Sequence, residues 1–461
     1  VDGGGQLAKC RRQVLRRCKH EGITVCALPS VFDVAPTGTD TGACGTADLP
    51  CRTIQFVLDE LVPAGGASTI KVAAGTYADV KSCPVGTAPN QAVVCIVNRQ
   101  VTLLGGFVPP DWDTPANDPS ATVIDAAARG RGLRIQRTGP GQPPARVELD
   151  GFTIRNGLAQ GMPSGDDSQT WAFGGGMLAE HAAVALRNTV FRDNWVVGGT
   201  TSQPEGGRGA GGGLAINADA WSTGVADATL QNVRFTGNYA GGGGGVTRGG
   251  YALGGALFTY WVRVSGDSLV LEGNTVVAGG TTGVGFAGAE KSDGLGGAVA
   301  VEQNSVVDLR HVRATGNSAA GGAAPNGEAG GAFGGALFAE LATLTVTDAV
   351  VDQNLARGGD GRNTTTSGSL AQGGGIHSVS ATVTLDRVLV AGNEARAGNG
   401  VVNGGGAGGG GVSLTFGSGA AVDTPFTITN TIIANNLVSL GSGAFVGGGA
   451  GGLWVQAVMG T

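Results

Sequence analysis

Charge is scarce in this chain. Asp, Glu, Lys and Arg make up 14% of the 461 residues, and the net charge is −6. A nucleic-acid surface needs a basic face, so no nucleic-acid partner is expected. Long apolar runs are missing too, so no membrane-spanning helix is expected. No cysteine follows Cys95. The seven in the chain are Cys10, Cys18, Cys26, Cys44, Cys51, Cys83 and Cys95. None stands in a Cys-x-x-Cys pair, which argues against zinc, and no cofactor or metal site emerges. Disulfides of an oxidising compartment are the better reading, with Cys44–Cys51 and Cys83–Cys95 as the local pairs. The odd count leaves one thiol free or joined to another chain. An initiating Met and an apolar signal core are also missing. The chain starts at Val1, and the expectation is a mature secreted chain, extracellular or at the cell surface.

Glycine is plentiful, at 88 of 461 residues, against roughly 7% in ordinary proteins. It shows no three-residue period, which excludes collagen. The apolar fraction of 41% lies in strand pattern, which excludes a disordered chain.

What is present is a repeat. Gly174-Gly175-Gly176-Met177 leads to Asn194, and Gly211-Gly212-Gly213-Leu214 leads to Asn238. Starts at Gly254, Gly296, Gly334, Gly373 and Gly409 lead to Asn274, Asn317, Asn354, Asn393 and Asn436. A further start, Gly451-Gly452-Leu453, lies close to Thr461. The steps between starts run from 36 to 43 residues. A period of this size means stacked units that cannot bury their apolar faces alone.

Counting back from each Asn identifies the unit. Three residues earlier stand Phe191, Phe235, Leu271, Ala314, Val351, Val390 and Ile433. Eight earlier stand Leu186, Leu230, Gly266, Leu309, Val346, Leu385 and Ile428. After each Gly pair, apolar residues recur two apart, as in Leu214 and Ile216. Period two is strand. The expected fold is therefore all-β: a right-handed parallel β-helix (solenoid) of ten or eleven coils, about 4.8 Å apart. Aliphatic ladders fill its interior and an Asn ladder lines one corner. Length variation falls between each Asn and the next Gly pair, in Val196 to Ala210, Ala240 to Leu253 and Val276 to Leu295. Those Gly-rich segments read as loops projecting from one side.

Three regions are expected. Residues 1–50 form a Cys-rich head, with a basic cluster of Lys9, Arg11, Arg12, Arg16, Arg17 and Lys19 and a free strand from Ile23 to Leu28. Residues 51–170 hold the cap and early coils. Thr53 to Leu61 places Ile54, Val57, Leu58 and Leu61 on one helical face, a short N-terminal capping helix. Strands follow at Thr69 to Ala73, Val93 to Val97, Val101 to Leu104, Thr122 to Ile124, Leu133 to Ile135 and Val147 to Ile154. Residues 171–461 are the regular repeats.

The motifs Gly42-Ala43-Cys44-Gly45, Pro50-Cys51-Arg52-Thr53-Ile54-Gln55 and Ile70-Lys71-Val72-Ala73-Ala74-Gly75-Thr76-Tyr77 resemble the entry of pectin-lyase-like parallel β-helix proteins of bacterial surfaces. Val101 to Phe107, Ala121 to Ala126 and Asp150 to Gly157 continue that pattern. The Gly-Gly-x-apolar and Asn repeats resemble those of polymorphic outer-membrane and adhesin-like passenger proteins. The resemblance spans residues 36–461 and implies the fold and export. It leaves activity open, because the superfamily hosts lyases, hydrolases, adhesins and structural proteins. Such proteins carry a C-terminal anchor or sorting region, and none is seen here.

Several groups invite chemistry. Glu302 and Glu340 each lie six residues after their Gly pair, so stacking would set their backbones about 4.8 Å apart, as in a retaining glycosidase pair. His311, Asp348 and Arg387 share a polar column six residues before the Asn and could supply acid, base and anion stabiliser. Scattered outward charges and an ion-paired ladder explain both sets more simply, so no catalytic residue is assigned. Asp111, Asp113 and Asp118 read as a polar turn rather than a cation site. Asn363-Thr364-Thr365 matches a glycosylation sequon. Phe258, Tyr260 and Phe338 read as a packing face beneath the loops rather than a sugar-stacking strip. His20, His181 and His377 find no partners in sequence.

The expected function is a non-catalytic extracellular structural protein. An uncapped last coil offers unpaired backbone groups and an apolar interior, so its expected partner is itself, in a head-to-tail filament. The alternatives are a cell-surface adhesin passenger binding surface glycans, and a polysaccharide lyase or hydrolase acting on acidic glycans.

Overall fold

Each repeat turns on its closing asparagine. In the computed structural model, Asn194, Asn238, Asn274, Asn317, Asn354 and Asn393 are at most 1% exposed. Asn238 donates from Nδ2 to Asn274 Oδ1 (2.9 Å) and to the Phe191 carbonyl (3.0 Å). Its backbone N–H shares the same Asn274 oxygen at 3.1 Å. The pattern continues coil by coil, ending where Asn393 donates to Asn436 Oδ1. One amide thus satisfies a carbonyl left by the preceding bend and two donors of the neighbouring corner.

The structure describes residues 30–62, 65–84, 90–163, 167–219, 226–281, 292–324, 329–361, 367–416, 425–443 and 447–457. The expected strand at Ile23 to Leu28, the basic cluster, His20, the first three cysteines and the sequon lie outside them. Within them, four sheets stack nearly all their strands in parallel. Met177–Glu180 belongs to an entry sheet of eleven strands. Ala183–Arg192 belongs to a broad sheet of sixteen, Trp195–Val197 to a corner sheet of eight, and Ala172–Phe173 to a cover sheet of seven. Ten of the entry-sheet strands run parallel, one per coil; the eleventh, Lys81–Ser82, is antiparallel. Register is residue on residue: Leu186 pairs with Leu230, and Phe191 with Phe235. The two Phe rings stack at 4.9 Å. The main core fills the space between the broad and entry sheets with the residues counted back from Asn.

The cap forms as expected. Thr53 Oγ1 accepts from the Phe56 N–H at 3.2 Å, and a wider π-helical turn follows at Val57–Leu61. Ile54, Val57, Leu58 and Leu61 are buried against the first coils. Gln55 ties the helix to the column, accepting from the Cys95 N–H at 2.6 Å. Cys44–Cys51 and Cys83–Cys95 are disulfide-bonded. Val31–Val34, inside the expected head, pairs in parallel with Ala67–Ala73 along the column.

The Gly-rich segments are more than loops. The first Gly of each repeat start, from Gly174 to Gly409, has φ between +55° and +70°, a conformation costly for any side chain. Beyond the corner sheet, outgoing and returning limbs alternate and bond to each other mainly through backbone, with a few side-chain bonds such as Gly244 N–H to Thr200 Oγ1 at 3.1 Å. Gly207 N–H donates to Gly199, Gly243 to Gly207, Gly250 to Gly243, and Gly279 to Gly250, each within 2.9 Å. Gly330, Gly359, Ser369, Gly398, Gly405 and Gly441 extend the series. A Cβ at Gly250 would sit 1.8 Å from the Gly207 oxygen. The limbs approach this closely only because side chains are missing. Two small cores anchor the layer: an alanine ladder from Ala159 to Ala407 between corner and cover sheets, and an aromatic layer on the outside of the entry sheet.

Candidate functional site

The polar column sits at a bend in the broad sheet. Asn188, Asn232, Ser268, His311, Asp348, Arg387 and Asn430 all adopt φ between +45° and +57°, which Asn, Asp and His tolerate best. His311 Nδ1 lies 2.7 Å from Asp267 Oδ1. Arg387 bonds Asp348 at 2.6 and 2.9 Å and also contacts Asp386. Hydrogen bonds from Arg387 hold the Asp348 carboxyl below its ordinary range. His311 does the same for Asp267. These groups satisfy each other on an exposed corner, so His311 and Asp348 have different partners. The acidic turn is engaged too, with Asp113 facing Lys71 at 3.7 Å. Asp111 accepts from the Asp113 and Thr114 N–H groups, and Asp118 from Ser120.

Glu302 and Glu340 do stack in register, beneath the aromatic layer. Glu302 is 8% exposed. Phe258 and Phe338, buried to within 3%, belong to the same layer, and Tyr260 stands one coil before Glu302. Burial, reinforced by Glu340, pushes the Glu302 carboxyl up to about 7, while Arg208 pulls the other way. Burial raises Glu340 as well. Arg208 is itself held over the Trp171 ring at 4.5 Å and the Tyr251 ring at 5.0 Å. Chemically this is a carboxyl pair that keeps a proton near neutrality. His377 completes the layer, 1% exposed and packed 5.1 Å from the Phe333 ring. Burial lowers its imidazole to about 3, so it is a neutral packing group. His181 Nδ1 lies 3.7 Å from Asp219.

Sequence reasoning missed one feature. The residue after each ladder Asn points outward and stacks on its counterparts: Trp195 on Tyr239, then Thr275 and Ser318. Trp195 is 50% exposed, and its ring centroid lies 5.0 Å from that of Tyr239. A groove of about 820 Å³, open solvent included, runs along it, lined by Ala127, Ala128, Asn156, Gly157, Leu158, Asp193 and Trp195. The signal was in the spacing, because the position directly after Asn alternates with the inward Val196 and Ala240.

No protein-family profile and no curated protein matches the chain. Among solved structures, it is similar to crystal structures of a GH136 lacto-N-biosidase from Eubacterium ramulus. For the selenomethionine derivative the identity is 10% and the TM-score 0.27, over 97% of this chain and 70% of that one. For the native protein they are 8% and 0.26, over 96% and 70%. Scores this low carry no argument about fold or activity, and the solenoid rests on the strand pairing described above.

Proposed function

We propose that the chain is a rigid, non-catalytic structural solenoid of an oxidising, extracytoplasmic compartment, in keeping with its resemblance to surface β-helix proteins. One observation carries this reading: hydrogen bonding is continuous from coil to coil, through Asn side chains at the corner and through backbone in the sheets and the Gly layer. The stacked carboxyl pair that suggested hydrolysis is in keeping with it, since Glu302 is only 8% exposed and offers little of its carboxyl to a glycosidic oxygen. The two disulfides favour the compartment. The test is incubation of the full chain with neutral and acidic oligosaccharides. No product is expected. Cleavage that Glu302→Gln abolishes would overturn the reading in favour of a hydrolase.

Head-to-tail assembly is a second reading. On the last described coils Phe426, Ile432, Leu437, Leu453 and Val455 are apolar and 38% to 62% exposed. Another coil or a second copy would cover them equally well. Sedimentation across a concentration series separates the two: a fixed monomer removes the filament, and growing particles support it.

A further inference from the structure

We propose that the groove beside Trp195 is a binding subsite for a neutral pyranose at the end or within the run of a glycan. The inference goes beyond the structural role and does not depend on it.

The groove arises from a step in the column. The corner and cover sheets begin at Leu158–Gln160 and Ala172–Phe173. One coil earlier, this place holds only the turn at Ala126–Arg129, where Ala127 and Ala128 take left-handed φ of 49° and 56°. The corner therefore widens abruptly, and Trp195 stands on the second rung of the wider part.

The ladder spacing describes the occupant. Trp195 and Tyr239 show that one flat ring fits each rung, 5.0 Å apart. The rung before Trp195 carries Leu158, which offers no flat face. One side of the indole is backed by Tyr239, and the other borders the groove. A pyranose is a flat ring with an aliphatic face, and aromatic side chains favour such ring-sized apolar partners in sites with a few placed polar groups. The rim supplies those groups. Asp193 is exposed and faces Arg192 at 3.5 Å, and its carboxylate oxygens can still accept from hydroxyls. Asn156 spends its Nδ2 on Asp125 at 2.9 Å, which leaves its oxygen to accept. Asp125 is engaged by Arg155 at 2.8 Å and by Asn156. An amide oxygen and an ion-paired carboxylate suit a hydroxyl-rich neutral sugar better than an acidic one.

The test is calorimetric titration of the full chain with cellotetraose, chitotetraose and trigalacturonate, with melting curves as a folding control. At least one neutral probe is expected to bind, and trigalacturonate to bind more weakly. Trp195→Ala should lower the affinity about tenfold or more, the scale on which losing an aromatic anchor is felt. Trp195→Phe, which keeps a flat ring, should stay within about threefold. The proposal is overturned by silence from both neutral probes up to millimolar concentration. It is overturned equally by unchanged affinity in Trp195→Ala, by a preference for trigalacturonate, or by a Trp195→Ala effect confined to self-association. Cleavage of a bound probe would instead count against the non-catalytic reading and leave the subsite standing.

Discussion

The Asn corner and the Gly layer lie one short strand apart, yet they hold the coils together by opposite means. At the corner, side chains do the bonding. Each buried amide joins four backbone or side-chain groups, as Asn238 does with the Phe191 carbonyl, the Asn274 oxygen and two donors of Asn194, and register is fixed because the amide fits only one place. In the layer, few side chains take part. Limbs bond directly, and at the glycines a Cβ would strike carbonyl oxygens. The first device specifies position and the second maximises closeness. A layer with so few side chains carries little register of its own, so it takes its alignment from Asn and from the alanine ladder beside it.

Substitutions can break this comparison. The largest effect is expected for Asn274→Leu. It leaves the buried Asn238 N–H and Phe235 carbonyl without the bonds at 3.1 and 3.0 Å, for a loss of ~4 kcal/mol at about 1–3 kcal/mol per stranded group, read from denaturant unfolding. Gly250→Ala comes next. A methyl 1.8 Å from the Gly207 oxygen forces neighbouring limbs apart, at ~3 kcal/mol. If the layer were a loose loop, that variant would melt with the parent chain.

A smaller effect separates the aromatic layer from both. The Glu302 carboxyl sits near 7 when folded, above its ordinary 4.5, so the neutral form is favoured in the folded chain. The stability this contributes is complete below about pH 4.5 and is lost as pH rises through 7. Glu302→Gln should match the parent chain at pH 4 and exceed it at pH 8 by on the order of 2 kcal/mol. A pH-independent difference between the two melting profiles would refute the buried pair. The smallest effect lies on the outer turns. Leu341 holds φ +49° while 47% exposed, so Leu341→Asn should stabilise by ~0.5 kcal/mol in thermal unfolding.

Much of the column was legible before any coordinates. The inward positions and the Asn ladder follow from spacing, because each depends on a residue type recurring where the coil repeats; the capping helix follows from its own apolar face, and both disulfides from cysteines close in sequence. The stacking of Glu302 on Glu340 was legible from the same recurrence. The burial of Glu302 was not, since its place in the strand alternates outward and only the packing over that face covers it. Glycine carries no side chain to reveal a partner, so a bonded layer and a flexible tether look alike in sequence. His311, Asp348 and Arg387 share a column, and sharing looked like a candidate for chemistry. The cause is backbone, a left-handed turn repeated at every coil. Trp195 carries no such mark, because the position after each Asn holds Trp, Tyr, Thr, Ser, Leu, Glu and Leu in turn, with no one residue type shared along it.

Glycine-rich stretches are ordinarily where a protease cuts, because an enzyme must peel several residues into an extended strand before it can act. Here the limbs through Gly207, Gly243 and Gly250 each have a neighbour's carbonyl on one side and a neighbour's amide on the other. To lift one limb is to unzip two. The richest glycine in the molecule is thereby turned from its most digestible part into a shield.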